Sequence, residues 1–299
     1  MAPEKTKDWT GKTGGRTLGQ KALLFLFHLN HVTVGYVILA SVVPFYMLFA
    51  RKGYLSIYRY FRCRHGYGRF KAFCKTYQNH FVFGQCILDR FAIYAGRRNF
   101  FNVEITGNDR FSRLLDEEKG FIVASSHVGN FELSGYLLRQ DKKRIHAMVF
   151  GGEAKEALKN KAKTLRVNNV DVVPATNDMS HIFVLSNALQ NGEIVNMPCD
   201  RNFGSTKSVE CDFLNGKADF PQGAFALAAV FDVPVIAIFV LKKTVSTYHI
   251  YVKPLSVEDY EQLNKQEKIS GLAQSFASEL ETVVRKYPEQ WFNFYNFWK

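Results

Sequence analysis

The chain has 299 residues, of which 47% are hydrophobic and 15% aromatic, enough to bury a large core in one large domain or two ordinary ones. Its net charge of +12 could attract nucleic acid, anionic lipid or an acidic protein, but no zinc-finger spacing, RNP-like strand or basic heptad region supports nucleic acid. The five cysteines are odd in number and form no C-x-x-C pair, which argues against a disulfide framework or a zinc site and indicates a reduced compartment.

A long uncharged segment follows a polar, glycine-rich lead-in at residues 1–21. No formally charged residue occurs at 22–50. As a helix with a rise of about 1.5 Å per residue, this segment would be about 44 Å long, more than a bilayer core. No small-x-small cleavage site ends it, so we do not interpret it as a signal peptide. It predicts a membrane-associated helix that Pro44 should kink or break, with a buried core helix as the alternative.

The sequence after this segment is basic and aromatic, and it contains no acidic residue before Asp89. Because both flanks of the uncharged segment are basic, either a hairpin or a helix lying in the interface of an anionic membrane fits. The bulk of the protein follows the richer basic flank and should be cytoplasmic. Aromatic side chains at helical spacing predict amphipathic helices, so we assign residues 1–96 to an N-terminal membrane-associated helical region. The basic residues are Arg51, Lys52, Arg59, Arg62, Arg64, Arg69, Lys71 and Lys75.

Residues 97–299 alternate between apolar runs and helical patterns, which predicts an α/β domain whose mixed, mostly parallel sheet is flanked by helices. The helix predicted at 178–191 has particularly clear ends, with Asp178 at its start and Asn191-Gly192 at its end. The predicted strands are 103–105, 121–125, 144–150, 170–174, 194–198, 234–241 and 247–252, with 209–214 extended. The predicted helices are 108–118, 130–139, 153–167, 178–191, 221–231 and 257–287, the last broken near Gly271.

A histidine lies where one predicted strand ends and a helix begins, at the edge of an α/β sheet where ligands bind. His127 follows the strand at 121–125, and Glu132 comes five positions later. A carboxylate bonded to one ring nitrogen would fix the tautomer, so that the other nitrogen could take a proton near neutral pH. Gly129 allows close backbone approach, and Asn130 would cap the helix, whose free N–H groups could hold an oxyanion or a phosphate. The alternative is a structural histidine near a turn.

Other catalytic chemistries have little support in the sequence. It contains no G-x-S-x-G elbow, no Walker A loop and no H-E-x-x-H motif. Ser126 is adjacent to His127 on an extended segment, so the two side chains point in opposite directions and make a poor nucleophile–base pair. Cys199 is a remote candidate for an acyl-enzyme nucleophile, with a buried strand cysteine as the alternative.

Five short segments between about residues 100 and 298 occur in the same order as motifs of the lysophospholipid acyltransferase superfamily. Within this superfamily, the chain resembles the late acyltransferases of lipid A synthesis. His127 and Glu132 are similar to the family's H-x-x-x-x-(D/E) motif. The remaining segments are MPCDRNFG at 197–204, CDFLNGKA at 211–218, the small-residue helix and V-P-V at 223–235, and PEQW at 288–291. The CDFLNGKA segment departs from the family's F-F-G form at Leu214 and Asn215.

This resemblance implies transfer of a fatty acyl group from acyl carrier protein or coenzyme A to a lipid hydroxyl, with no cofactor besides the donor and no metal. His127 would be the general base, Glu132 its partner, and the hydroxyl would attack the thioester directly. Arg201 would bind phosphate on the acceptor or donor, or else form a structural ion pair with Asp200 or bind a helix end. The predicted substrate-binding residues are Arg201, Gly129, Asn130 and Asp200.

We therefore expect a lysophospholipid acyltransferase-like fold with an N-terminal hydrophobic helix, at the cytoplasmic face of a bacterial inner membrane. A lipid A-type precursor is the favoured acceptor, and an amino-acid lipid, a lysophospholipid or a pigment precursor is the alternative. The expected partners are the lipid acceptor, the carrier-protein or coenzyme A thioester and the anionic membrane surface. In a different class, the chain would be a non-catalytic lipid-binding or scaffolding protein that keeps the fold.

Overall fold

The computed structural model describes residues 32–134, 141–149, 169–176, 178, 180–201 and 207–298. The lead-in, the first part of the uncharged segment and the predicted helix at 153–167 lie outside these residues. So do the second half of the predicted helix at 130–139 and the end of the MPCDRNFG segment.

The described strands agree closely with the apolar runs of the sequence. They are β1 (Asn102–Thr106), β2 (Phe121–Ser125), β3 (Ile145–Val149), β4 (Val170–Pro174), β5 (Ile194–Pro198), β6 (Ser208–Asp212), β7 (Lys217–Pro221), β8 (Val235–Lys242) and β9 (Thr247–Pro254). Seven of them form one sheet in the order β1-β9-β8-β2-β5-β3-β4, and β6 and β7 form a separate hairpin. Within the large sheet only β8 and β9 pair antiparallel, which confirms the predicted mixed, mostly parallel sheet. Every residue of β2 and β8 is buried, as expected for central strands covered on both faces.

Helices cover both faces of this sheet. They are α1 (Val32–Phe49), α2 (Arg51–Arg59), α3 (Arg69–Tyr94), α4 (Asn108–Asp116), α5 (Ser180–Gln190), α6 (Gly223–Phe231) and α7 (Lys265–Lys286). Alternate residues of β2 belong to two different hydrophobic clusters, which shows that each cluster lies on its own face. Helices α1 and α4 pack on the face of Val123, whereas α2, α5, α6 and α7 pack on the face of Ile122, and α3 contributes residues to both clusters. The helices before residue 97 therefore contribute directly to the core of the α/β domain.

Helix α1 is long and apolar enough to cross a membrane, by length and composition alone. Val32, Tyr36, Val43 and Met47 form its buried stripe, and most of its other apolar side chains are exposed. Pro44 does not interrupt the helix. A proline cannot donate a hydrogen bond to the carbonyl four residues earlier, but the hydroxyl of Tyr77 on α3 donates to that oxygen, on Ala40, at 3.0 Å. A neighbouring helix therefore satisfies the acceptor that Pro44 leaves free.

Two other predicted elements differ from the structure. Helix α7 begins at Lys265 and is continuous through Gly271, where a Cβ atom would lie 2.6 Å from the Val257 side chain. Gly271 therefore serves close packing and not a break. The extended segment at 209–214 is the first strand of the β6–β7 hairpin, whose turn holds Leu214 and Asn215 at φ values of +48° and +59°.

Candidate active site

Two adjacent parallel strands bring His127 and Asp200 together. Ser125, the last residue of β2, is paired in register with Pro198, the last residue of β5. His127 and Asp200 each lie two residues beyond that pair, so both leave the sheet at its carboxyl edge. The Nδ1 atom of His127 is 2.7 Å from Oδ1 of Asp200, and the backbone N–H of His127 donates to Oδ2 at 2.8 Å.

A third donor reaches the same carboxylate from the C-terminal segment. The indole Nε1–H of Trp291 donates to Oδ2 of Asp200 at 3.1 Å, and the aspartate is only 1% exposed. Burial alone would raise the pKa of Asp200, but the charge and hydrogen bonds of His127 and the charge of Arg201 outweigh it, so that this pKa lies below its ordinary value. Asp200 is therefore an ionised acceptor near neutral pH.

His127 is a neutral base in this setting. Burial lowers its pKa below the ordinary 6.5, and the nearby charge of Arg201 adds to this effect, although the charges of Asp200 and Glu132 oppose it. Because an ionised carboxylate only accepts hydrogen bonds, Nδ1 of the neutral ring carries the proton that is donated to Asp200. The lone pair is then on Nε2, so this nitrogen is the one that can take a proton.

The structure adds a second carboxylate to the predicted pairing. We predicted that Glu132 bonds one ring nitrogen of His127, and the carboxylate at Nδ1 is that of Asp200. Glu132 lies in a short 3₁₀ turn, Phe131–Leu133, and forms an ion pair with Arg90 of α3. Its negative charge still raises the pKa of His127, so Glu132 acts on the ring electrostatically. Its catalytic role stays a prediction.

The turn after His127 is held by backbone bonds to β8 and to the C-terminal segment. The N–H of Gly129 donates to the Gln290 carbonyl at 2.8 Å, and the N–H of Asn130 donates to the Val240 carbonyl at 2.7 Å. Gly129 has a φ of +59°, and a Cβ atom there would lie 2.0 Å from the Val240 oxygen. The close approach that we predicted for Gly129 is thus to the protein's own backbone. Both of these N–H groups have backbone partners, whereas anion binding by the N–H groups of the following helix stays a prediction.

The side chain of Asn130 makes no capping bond. Instead its amide donates to the Cys86 carbonyl of α3 and to the hydroxyl of Tyr248 of β9, each at 3.0 Å. Tyr248 in turn donates to the carboxylate of Asp89. Asn130 therefore connects the His127 turn to a buried polar cluster.

An ion pair forms the centre of that cluster. The ammonium of Lys242 lies 2.5 Å from the carboxylate of Asp89, and their side chains are 5% and 0% exposed. Lys242 also donates to the hydroxyl of Tyr36 on α1 at 3.1 Å. One set of buried hydrogen bonds thus joins the His127 turn to helices α1 and α3 and to strands β8 and β9.

The PEQW segment near the C-terminus supports the site, a role that the sequence analysis did not assign to it. The Gln290 amide makes two hydrogen bonds with the backbone of Lys242, at 2.9 and 2.8 Å. Asn79 of α3 donates to the Glu289 and Trp291 carbonyls at 3.0 and 2.9 Å. These bonds fix Trp291 beside Asp200. In the sequence, only the resemblance of PEQW to the family's terminal motif could have indicated this role of Trp291.

Arg201 lies next to the carboxylate pair. One of its terminal nitrogens donates to the Phe292 carbonyl, and its guanidinium carbon lies 5.6 Å from the centre of the Tyr295 ring. Its Nε has no hydrogen-bond partner in the described part of the chain. Its described contacts are thus a carbonyl and a ring, and not the ion pair with Asp200 that was the alternative.

The two candidate nucleophiles are poorly placed. Cys199 is 1% exposed, and its thiol donates to the Met197 carbonyl at 3.3 Å. Burial and the charge of Asp200 raise the pKa of this thiol well above its ordinary value, which disfavours the reactive thiolate. Ser126 is 1% exposed and its hydroxyl has no partner among the described residues. Among the described residues, no group of three or more His, Cys, Asp or Glu side chains could hold a metal ion.

A groove opens on the sheet face that α4 covers. Its floor is formed by β2, β3 and β5, and Phe131 and Glu132 form part of its wall. The ring of Phe131 lies 4.9 Å from that of His127, so the histidine is next to the groove. Most of the lining is apolar, which suits an aliphatic chain. The lining residues are Phe111, Ser125, Phe131, Glu132, Ser134, Ile145, Ala147, Met148, Val149, Val170, Ile194, Asn196, Pro198 and Ile238.

Comparison with known proteins adds a family to this geometry. The family model for bacterial lipid A biosynthesis acyltransferases matches residues 80–299, which include His127, Asp200 and Trp291. Among solved structures, the chain is similar to the 1-acyl-sn-glycerophosphate (LPA) acyltransferase PlsC from Thermotoga maritima. The two are 16% identical with a TM-score of 0.40, and the match covers 91% of this chain and 99% of that one. No curated protein that was compared matches the sequence significantly.

Proposed function

Since the chain belongs to the bacterial lipid A biosynthesis acyltransferase family and is an acyltransferase that acts on lipids, we propose that it transfers a fatty acyl group from a thioester to a lipid hydroxyl. The donor would be acyl carrier protein or coenzyme A, with no further cofactor. The observation that carries the proposal is the pairing of a neutral His127 with a buried, ionised Asp200 at the rim of an apolar groove.

In the proposed reaction, Nε2 of His127 takes the proton of the acceptor hydroxyl while the hydroxyl oxygen attacks the thioester carbonyl. The tetrahedral intermediate then collapses, the carbon–sulfur bond breaks, and the protonated ring returns the proton to the departing thiolate. Asp200 stabilises the imidazolium formed in between, as a buried carboxylate does in other His–Asp pairs. General base catalysis of this kind contributes roughly 10²- to 10⁴-fold to the rate. The buried thiol of Cys199 supports direct transfer without an acyl-enzyme.

For the acceptor we propose a lipid A-type precursor. The family match favours it, and the guanidinium of Arg201, whose charge acts on His127 and Asp200, would pair with phosphate on the acceptor or on the donor. An amino-acid lipid, a lysophospholipid or a pigment precursor would require the same chemistry at His127.

We further propose that α1 places the site at the cytoplasmic face of the inner membrane. The exposed apolar side chains of this helix support membrane contact, and the basic residues that follow would face anionic headgroups. Protein that is washed from membranes at high pH without detergent would contradict a spanning helix and leave only an interfacial one.

The full chain, purified in detergent, tests the chemistry. It is given labelled acyl carrier protein or acyl-coenzyme A together with a total lipid extract, and the labelled lipid product is identified. His127→Ala should lose transfer by roughly 10²-fold or more. His249→Ala, a half-buried histidine of β9 that bonds Thr106, serves as the matched control. Equal rates for His127→Ala and wild type would refute the mechanism. An acyl adduct on Cys199 or Ser126, detected by intact mass, would refute direct transfer. Binding without turnover by any donor would favour the non-catalytic class.

A further inference from the structure

The floor of the groove beside His127 contains two polar side chains among apolar ones. Asn196 of β5 lies between Val123 of β2 and Ala147 of β3 in the sheet register, and Ser125 follows two residues after Val123 on the same face. Both residues line the groove. Within the described residues neither side chain makes a hydrogen bond, although every other residue of the floor on these three strands is apolar.

These two groups extend inward from the catalytic edge of the sheet. At about 3.3 Å per residue along parallel strands, Ser125 lies about 7 Å from His127, and the level of Asn196 and Val123 lies about 13 Å from it. A chain whose reacting end is at His127 and which follows the groove would pass over Ser125 first and Asn196 next. The polar groups are thus placed for the interior of a chain and not for its reacting end.

Covering these groups with plain hydrocarbon is unfavourable. Under a plain hydrocarbon chain, the amide of Asn196 would lose its contact with water and gain no hydrogen-bond partner. Such a chain should therefore bind about 5- to 100-fold more weakly than a chain that offers the amide a hydrogen bond. An apolar residue at this position would avoid that penalty. A site built to bond a polar group discriminates strongly against an analogue that lacks it.

Given the proposed acyl transfer, on which this inference rests, we propose that the groove selects an aliphatic chain bearing an oxygen within it, as a hydroxyl or an oxo group. Asn196 can donate to either group and can also accept from a hydroxyl. The hydroxyl of Ser125 provides a second contact nearer to His127. The oxygenated chain belongs either to the acyl donor or to the lipid acceptor.

Steady-state kinetics of the full chain distinguish these two sources. In the donor arm, thioesters of plain, hydroxylated and oxo acyl chains of equal length are compared with one acceptor. In the acceptor arm, one donor is used with two acceptor lipids that carry the same reacting hydroxyl. One of the two lipids has an oxo group in the aliphatic chain next to that hydroxyl, and the other does not. We expect kcat/KM to favour the oxygenated chain by about 5- to 100-fold in one arm.

In Asn196→Leu this ratio should fall to near one, because kcat/KM for the plain chain rises when the unpaired amide is removed. Asn187→Leu, the same change at an exposed position of α5, should keep the wild-type ratio. If Asn196→Leu does not fold, Ser125→Ala provides the readout, with a smaller fall in the same ratio. A wild-type ratio near one in both arms, or a ratio that these variants leave unchanged, overturns the proposal. Failure of the proposed function would instead appear as no transfer from any donor.

Discussion

Replacing Asp200 by asparagine tests the assigned partner of His127 directly. The carboxylate accepts from the ring Nδ1 through one oxygen, and from the His127 backbone and Trp291 through the other. An asparagine has one accepting oxygen and one donating NH₂ group. It keeps two of the three bonds only if its oxygen faces the backbone N–H and the indole. Its NH₂ group then faces Nδ1, which must become an acceptor.

The expected consequence is a change of tautomer. The ring proton of His127 moves from Nδ1 to Nε2, the nitrogen that should receive the proton of the substrate. The enzyme then loses most of its general base catalysis, so kcat should fall by on the order of 10²- to 10⁴-fold while the shape of the site is preserved. Thermal stability should fall much less, because the side chain volume is unchanged.

The pH dependence provides a second readout with a definite sign. The reaction requires neutral His127, so kcat/KM of the wild type should rise with pH through the lowered pKa of this ring, below 6.5. The charge of Asp200 raises that pKa. Its removal should therefore shift the midpoint of the residual activity to lower pH, although the plateau is also lower.

The assay is steady-state transfer in detergent over a pH series, with Asp232→Asn as control. Asp232 forms an exposed pair with Lys119 at 3.2 Å, so this variant should keep wild-type kinetics. Activity of Asp200→Asn within tenfold of wild type, with an unmoved midpoint, would refute the assigned pairing. The same shifts in Glu132→Gln alone would transfer the role to Glu132.

Trp291→Phe removes the indole bond to the carboxylate but keeps the ring packing, so stability should fall by about 1.5–3 kcal/mol and kcat with it. Trp298→Phe should change less, because the indole N–H of Trp298 has no partner in the described part of the chain. Lys242→Met leaves Asp89 buried without its cation and should cost about 3–5 kcal/mol. Adding Asp89→Asn should recover part of that loss, and additive effects in denaturant unfolding would contradict a coupled pair.

Several features of this protein follow from local sequence alone. Continuous apolar runs such as 121–125 and 194–198 predict buried strands, and the structure confirms them as β2 and β5. The position of His127 after the strand at 121–125 already predicts that it lies at the edge of the sheet where ligands bind. These predictions succeed because strand formation and the direction of the chain depend on neighbours within a few residues.

Close packing between distant elements was not visible in the sequence. Gly271 is read locally as a helix breaker, yet it gives room to Val257. Pro44 is also read as a breaker, yet Tyr77 of another helix satisfies the freed carbonyl. In both cases a contact outside the local segment decides the outcome.

The hydrogen-bond partner of His127 shows most clearly what local sequence leaves undecided. Sequence spacing favoured Glu132, five residues away, whereas Asp200 is 73 residues away. It becomes the partner because β5 lies beside β2 in register, and Trp291 joins it because the C-terminal segment pairs with Val128. The sequence by itself predicted His127 as a candidate base, and it predicted the strands and their mostly parallel arrangement. Only the tertiary structure decided which carboxylate orients that base, since strand order and the docking of a distant segment depend on contacts that no local pattern encodes.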